Sequence, residues 1–297
     1  MTWFTVLPLA IVLALALALG LAPLPLHPSW SARLLATTAA MTATAALGTG
    51  SFVGINYAAS LAPAAAAHVP EWALFGDDRP VPHPVGVPAI ALTLAGLGAA
   101  ARTALRWTRE LRAARTAAAG EPLETDVPIA VAVPGRDGGV LLSRGLLSGL
   151  TTRELHVVFQ HETSHLRHRH HRYLAAGLLA AAVLPPLGTL DARLRLAVER
   201  WADEDAAEAV GDRTLVARTI AKVALAQPRA AGPGAAFAES GVVQRVEALR
   251  GTAPAKNAVT GPLLCMGNGV VTGTLTATTL QLDHVLVSCL VSLLAFG

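Results

Sequence analysis

Long apolar stretches set the terms on which this chain can fold. Trp3–Ala22 has no charged residue, is rich in Leu and Ala, and at 1.5 Å per residue can cross about 30 Å of hydrocarbon. Leu34 to about Ala58 forms a second block, with Gly50 and Gly54 at the small-xxx-small spacing that suits close helix contact. Val87–Leu105 is a third, and Gly273–Phe296 a fourth that holds Asp283 and His284. We read those two polar residues as the sign of a shorter or shifted span rather than of a function. Only 14% of the 297 residues are charged, against about 25% in an ordinary soluble domain, too few to coat a globular surface. The lipid bilayer is therefore the expected partner.

Flanking charge sets the expected orientation. Arg102, Arg106, Arg109, Arg112 and Arg115 run through the end of the third block and beyond it, and Glu71, Asp77 and Asp78 outnumber Arg79 before it. Positive residues stay cytoplasmic, so the third span should run from outside to inside, with the N-terminus outside and Arg33 on the cytoplasmic side. No Lys or Arg precedes the first block, so it reads as a retained span rather than a signal peptide. The net charge of +3 and the lack of an aromatic-and-basic ladder argue against nucleic acid as a partner. Two cysteines, Cys265 and Cys289, form neither a disulfide framework nor a thiolate metal site.

Between residues 106 and 255 the chain changes character. Val127–Val133 and Val140–Ser143 are short β-prone runs around Asp137-Gly138, which predicts a β-hairpin. Thr151-Thr-Arg-Glu154 reads as a capping box opening a helix that runs to about His170. Within it stands His161-Glu162-Thr163-Ser164-His165, an HExxH motif. Residues four apart share a helical face, so both imidazoles can reach one ion while Glu162 accepts a proton beside them. Glu199-Arg-Trp-Ala-Asp203 repeats the spacing downstream with two carboxylates. Glu199 can complete the coordination shell, and Asp203 can accept a hydrogen bond from a ligating ring. Two imidazoles and one carboxylate, with a fourth position left for water, suit one zinc ion per chain, which lowers that water's pKa to about 7.

On these residues the chain resembles gluzincin membrane peptidases of the BlaR/MecR antirepressor type and the related HtpX and CAAX prenyl protease type. The resemblance runs from about Pro128 to Leu249. It takes in Pro134-Gly135, Ser143-Arg-Gly-Leu-Leu147, the Leu155–His165 helix and the Glu199-x-x-Ala-Asp203 motif. It implies His161, His165 and Glu199 as zinc ligands, Glu162 as catalytic base, and Asp203 as the group supporting a ligand. It further implies an endopeptidase whose protein or peptide substrate is a cytoplasmic repressor or a membrane protein. The expected architecture is a mainly α membrane protein of about four transmembrane helices with a small α+β zinc-peptidase domain. Residues 1–105 form three spans, 106–255 the cytoplasmic peptidase domain, and 256–297 a C-terminal membrane segment. The competing reading is a non-catalytic membrane receptor or scaffold, or a signalling regulator, that keeps a structural zinc site; the intact Glu162 argues against a purely structural site.

Tyr173–Leu190 is apolar and about one span long, yet a single crossing would part Glu199 from the histidines. It should instead be a re-entrant, interfacial or core segment bent at Pro185-Pro186. Arg167-His-Arg-His-His-Arg172 reads as a basic collar for anionic headgroups, with His168 as a possible exception one turn from His165. Ala230–Ala238 is expected to be a flexible loop. Arg218 and Arg245 are candidates for stabilising the transition state, although ordinary surface arginine is the simpler reading of each.

Overall fold

A proline at the first helical position loses no hydrogen bond, and three elements here begin with one. Pro28 opens α2 (Pro28–Leu61), with His27 as its cap; Pro185 opens a 3-10 turn (Pro185–Leu187), and Pro233 opens α9 (Pro233–Arg250). The computed structural model describes residues 6–62, 64, 81–118, 123–135, 138–227 and 233–279. The remaining helices are α1 (Leu7–Leu21), α3 (His83–Ala118), α4 (Arg144–Gly149), α5 (Thr152–Arg167), α6 (His170–Val183), α7 (Gly188–Val210), α8 (Arg213–Ala226) and α10 (Thr260–Thr279). Strands β1 (Ala130–Val133) and β2 (Gly139–Leu142) pair antiparallel, Ala130 opposite Leu142 and Val133 opposite Gly139. Asp137 of the expected turn lies outside the described residues.

Among the described residues the chain is thus mainly helical with one small two-stranded sheet. Among the described residues one helix, His83–Thr116, is long and apolar enough to cross a membrane, and α1 is a shorter apolar helix. Leu92, Leu94 and Leu97 of α3 and Leu263, Met266 and Val270 of α10 face outward. The acidic segment around Glu71, Asp77 and Asp78, and the tail with Asp283, His284 and Cys289, lie outside the described residues. The last helix begins at Thr260, well before the apolar block expected from Gly273.

Two buried clusters organise the interior. In the first, Ala16 of α1 and Ala32, Leu35, Ala39 and Ala43 of α2 pack on Ala180, Leu190, Leu194 and Trp201 of α6 and α7. Small residues on α2 let the neighbouring backbones come close; a Cβ on Gly50 or Gly54 would collide with Thr93 or Ile90 of α3. In the second, Val157 of α5 meets Ala206 and Ala207 of α7, Val216 and Ala217 of α8, and Leu249 of α9. α6 and α7 form an antiparallel pair bent at Pro185-Pro186, so the chain leaves the metal-motif helix and returns to it. The stretch expected as a loop from Ala230 is helical from Pro233 onward, because proline is pre-set for a first helical turn.

Gly145, near the start of α4, donates its amide to the Thr125 carbonyl, and a Cβ there would overlap the Asp126 backbone. Gly145→Ala should lower the unfolding temperature by several degrees, about 1–3 kcal/mol of overpacking. Gly241→Ala in α9 meets open space and should be neutral or stabilising by about 0.5–1 kcal/mol. Equal melting shifts for the two variants would refute this account.

Candidate metal centre

The site is built on the mutual packing of α5 and α7. At the start of α5 the Thr151 hydroxyl accepts from the Glu154 amide, and Glu154 accepts from the Thr151 amide at 2.8 Å. Glu154 is tied in turn to Lys222 of α8 at 2.9 Å. The helix ends at Arg167 rather than near His170, because Arg169 takes a left-handed conformation (φ 55°) and reverses the chain.

His161 and His165 project from one face of α5, and Glu199 meets them from α7. The two Nε2 atoms lie 3.2 Å apart, and the Glu199 carboxylate oxygens stand 3.4 Å from one and 3.6 Å from the other. The two Glu199 distances run to its two different oxygens, and the three groups stand close enough together for one zinc ion with bonds of about 2.0–2.2 Å. The three residues form a cluster that can hold a metal ion, with ligand atoms all within 4.8 Å of one another. Charge supports the fit. The Glu199 and Asp203 carboxylates outnumber the Arg245 guanidinium beside them, a surplus of negative charge that favours a cation at the rings.

Asp203 is buried on the same face of α7 and sets Oδ1 3.0 Å from His161 Nδ1, an ion-pair contact rather than a well-aligned hydrogen bond. Arg245 of α9 donates to both Asp203 oxygens at 2.7 Å and approaches Glu199 Oε2 at 3.0 Å. Its side chain is only 15% exposed, so it is no surface arginine, whereas Arg218 is exposed. Arg245 was legible in the sequence only as a candidate; the fold that carries α9 back to α7 assigns it to this cluster.

These neighbours shift the protonation of each group. Burial disfavours charge on His161, but Asp203 and Glu199 outweigh it and raise its pKa to about 10. Burial takes His165 down to about 4. The carboxylates that favour a proton on His161 equally favour a cation between the rings. For Glu199 burial works upward, and His161, Arg245 and His165 together take it below the carboxylate range. Glu162 is raised, chiefly by burial, with His161 opposing.

The basic run after α5 divides. Arg167, Arg169 and Arg172 are exposed, as a collar requires. His168 turns inward to Asp205 at 2.9 Å, and Asp205 also accepts from Ser164 at 2.7 Å. His170 is fully buried with Nδ1 3.0 Å from His165 Nδ1, so the collar reading fails for it.

Two openings meet at the cluster. A cleft of about 430 Å³ runs between α3, β1 and α6, lined by Trp107, Ala132, Leu174, Glu162 and both histidines. An apolar cavity of about 200 Å³ lies on the other side, walled by Val158, Val216, Ile220, Val223 and Val242. Residues 123–192 match the family described as Peptidase family M48, which supports a metallopeptidase. The match takes in the hairpin and both histidines and ends before Glu199. No curated protein matches the chain, and no solved structure does.

Glu154 is held down to about 2, mainly by its bond to Lys222. A depressed carboxyl contributes stability that is present above its ordinary value of about 4.5 and lost as pH falls through about 2. Acid unfolding of Glu154→Gln should therefore show a shallower pH dependence between pH 4.5 and 2 than wild type. Parallel curves would remove this contribution from the account.

Proposed function

We propose that this chain is a membrane-embedded zinc metalloendopeptidase that hydrolyses peptide bonds with Glu162 as general base. The observation that carries the reading is the convergence of His161, His165 and Glu199 on one point with Glu162 beside them in an open cleft. His161, His165 and Glu199 are the metal ligands, and one zinc ion is bound per chain. When bound, zinc supplies a Lewis acid that brings the pKa of water to about 7.

The protein residues supply the rest of the chemistry. Glu162 takes the proton of the attacking water and returns it to the leaving amine, a role its raised pKa suits. Asp203 orients the His161 ring, and Arg245 fixes Asp203 and Glu199 in turn. β1 pairs with β2 on one edge, and its residues Ala130–Ala132 line the cleft. An extended substrate strand adds along the other edge, passing its scissile bond by Glu162. The apolar cavity beside Glu162 receives an aliphatic or aromatic side chain of the substrate.

α1, α2, α3 and the segment that begins with α10 are the four spans of the proposed topology. The positive-inside tendency of the α3 arginines supports a cytoplasmic peptidase region, residues 106–255, with the N-terminus outside. The outward Leu residues of α3 and α10 are then lipid-facing. The substrate is a protein or peptide at this membrane surface, a cytoplasmic repressor or a membrane protein. The resemblance to the BlaR/MecR type supports the first and that to the HtpX type the second.

Detergent-purified wild type should hold close to one zinc by elemental analysis, and Glu199→Ala should lose most of it. Glu162→Gln should keep the metal while cleavage of labelled casein falls about 10²–10⁴-fold. A zinc-free wild type after metal supplementation would sink the proposal, and so would a Glu162→Gln variant that cleaves at the wild-type rate.

A further inference from the structure

His170 is a buried histidine for which the mechanism above has no role. Its ring is fully enclosed beside His168 and Trp201, with ring centroids 5.7 and 4.7 Å away, and Tyr173 flanks it at 6.3 Å. A phenyl ring would fill the same space. The imidazole also leaves Nε2 buried without a hydrogen-bond partner among the described residues, a burden on stability. Packing alone therefore does not account for an imidazole here.

The chain goes to some length to bring it there. Arg169, immediately before it, takes the left-handed conformation that side chains other than glycine seldom adopt. That turn ends α5 and starts α6 with His170 pointing back at α5, where its Nδ1 lies 3.0 Å from Nδ1 of His165.

The tautomers follow from this contact. His165 turns Nε2 toward His161 and Glu199, so as a metal ligand it keeps that nitrogen free of a proton. Its ring proton then sits on Nδ1 and must be donated. The Nδ1 of His170 lies within reach and accepts it, which leaves the proton of His170 on Nε2. The two ligating imidazoles thus have different neighbours at Nδ1: His161 the Asp203 carboxylate in an ion-pair contact, His165 a neutral ring that accepts its proton.

We infer that His170 is a positioning residue, whose Nδ1 accepts the proton of His165 Nδ1 and so fixes the tautomer and orientation of that ligand. The inference rests on the metal-site reading proposed above. A neutral acceptor makes His165 a less basic ligand than a carboxylate would, so the two histidines contribute unequally to the site.

The contrast between two variants tests it on the full-length chain in detergent. His170→Phe keeps the ring and loses the acceptor, whereas His170→Asn loses the ring and can offer its Oδ1. Zinc affinity by chelator competition should fall about 10–100-fold for Phe and stay within about threefold for Asn. Cobalt-substituted protein should show an altered d–d spectrum for Phe alone. A Phe variant that binds zinc like wild type, or an Asn variant that loses as much as Phe, would overturn the inference. Should Phe fail to fold, Ala against Asn reads the same contrast. If wild type itself takes up no zinc, the metal-site reading fails; if wild type binds and all variants bind alike, only the role of His170 fails.

Discussion

Everything in this molecule that bears on chemistry depends on Glu199 of α7 meeting two histidines of α5. The apolar segment between them is long enough to carry the chain away for good, yet Pro185-Pro186 breaks it and turns α7 back along α6. Proline at the end of a helix removes a donor and clashes with the turn before it, so the bend is written into the covalent structure. Leu187, Leu190 and Leu194 are then fully buried against α1 and α2, which holds the returned helix in register. With that register set, Glu199 and Asp203 fall one helical turn apart on the face that looks at His161.

Gathering carboxylates and a guanidinium in one largely buried place is costly unless they are paired. Here Asp203 and Glu199 are paired. Asp203, 2% exposed, binds Arg245 through both oxygens and touches His161. Glu199 faces the cleft with about a third of its side chain, between Arg245 and the two histidines. Taking Arg245 away would remove both hydrogen bonds to Asp203 and leave it only the His161 contact, a destabilising loss. The clamp therefore serves shape and electrostatics together, and it explains why α9 has to pack against α7 and α8.

The helical character, the hairpin, the capped helix and the bend were legible because each has a local cause: alternation, a capping box, a proline pair. The histidine pair was legible because residues four apart on a helix share a face whatever surrounds them, and Glu199 because its spacing to Asp203 repeats that pattern downstream. What escaped was set by tertiary return. Arg245 lies more than forty residues beyond Asp203, and no spacing rule links the two. His170 sits in a run that reads as basic surface, and only the left-handed turn at Arg169 sends it inward. Sequence hydropathy delimited the apolar blocks, but α3 continues beyond Leu105 to Ala118, since nothing in its arginine-rich end disfavours a helix.

The apolar helices also do more than surround the site. Arg33 at the start of α2 lies between Trp30 and Trp201, 4.5 and 4.6 Å from the two rings. Trp201 packs in turn on His168 and His170, the histidines that follow the metal motif. The linker before α10 closes on the same corner: the Asn257 side chain accepts from the His27 amide at 2.8 Å, and Trp30 donates to the Lys256 carbonyl. A displacement of α2 would therefore be felt at Trp201, and through it by the rings next to His165. α7 shares one buried cluster with α1, α2 and α6 and the other with α5, α8 and α9, so the helices that carry the metal-binding residues are tied to both cores. The geometry of the ligands is for this reason a property of the whole helical assembly, and cutting the peptidase region free of α1 and α2 would expose the very surface that holds α7 in place.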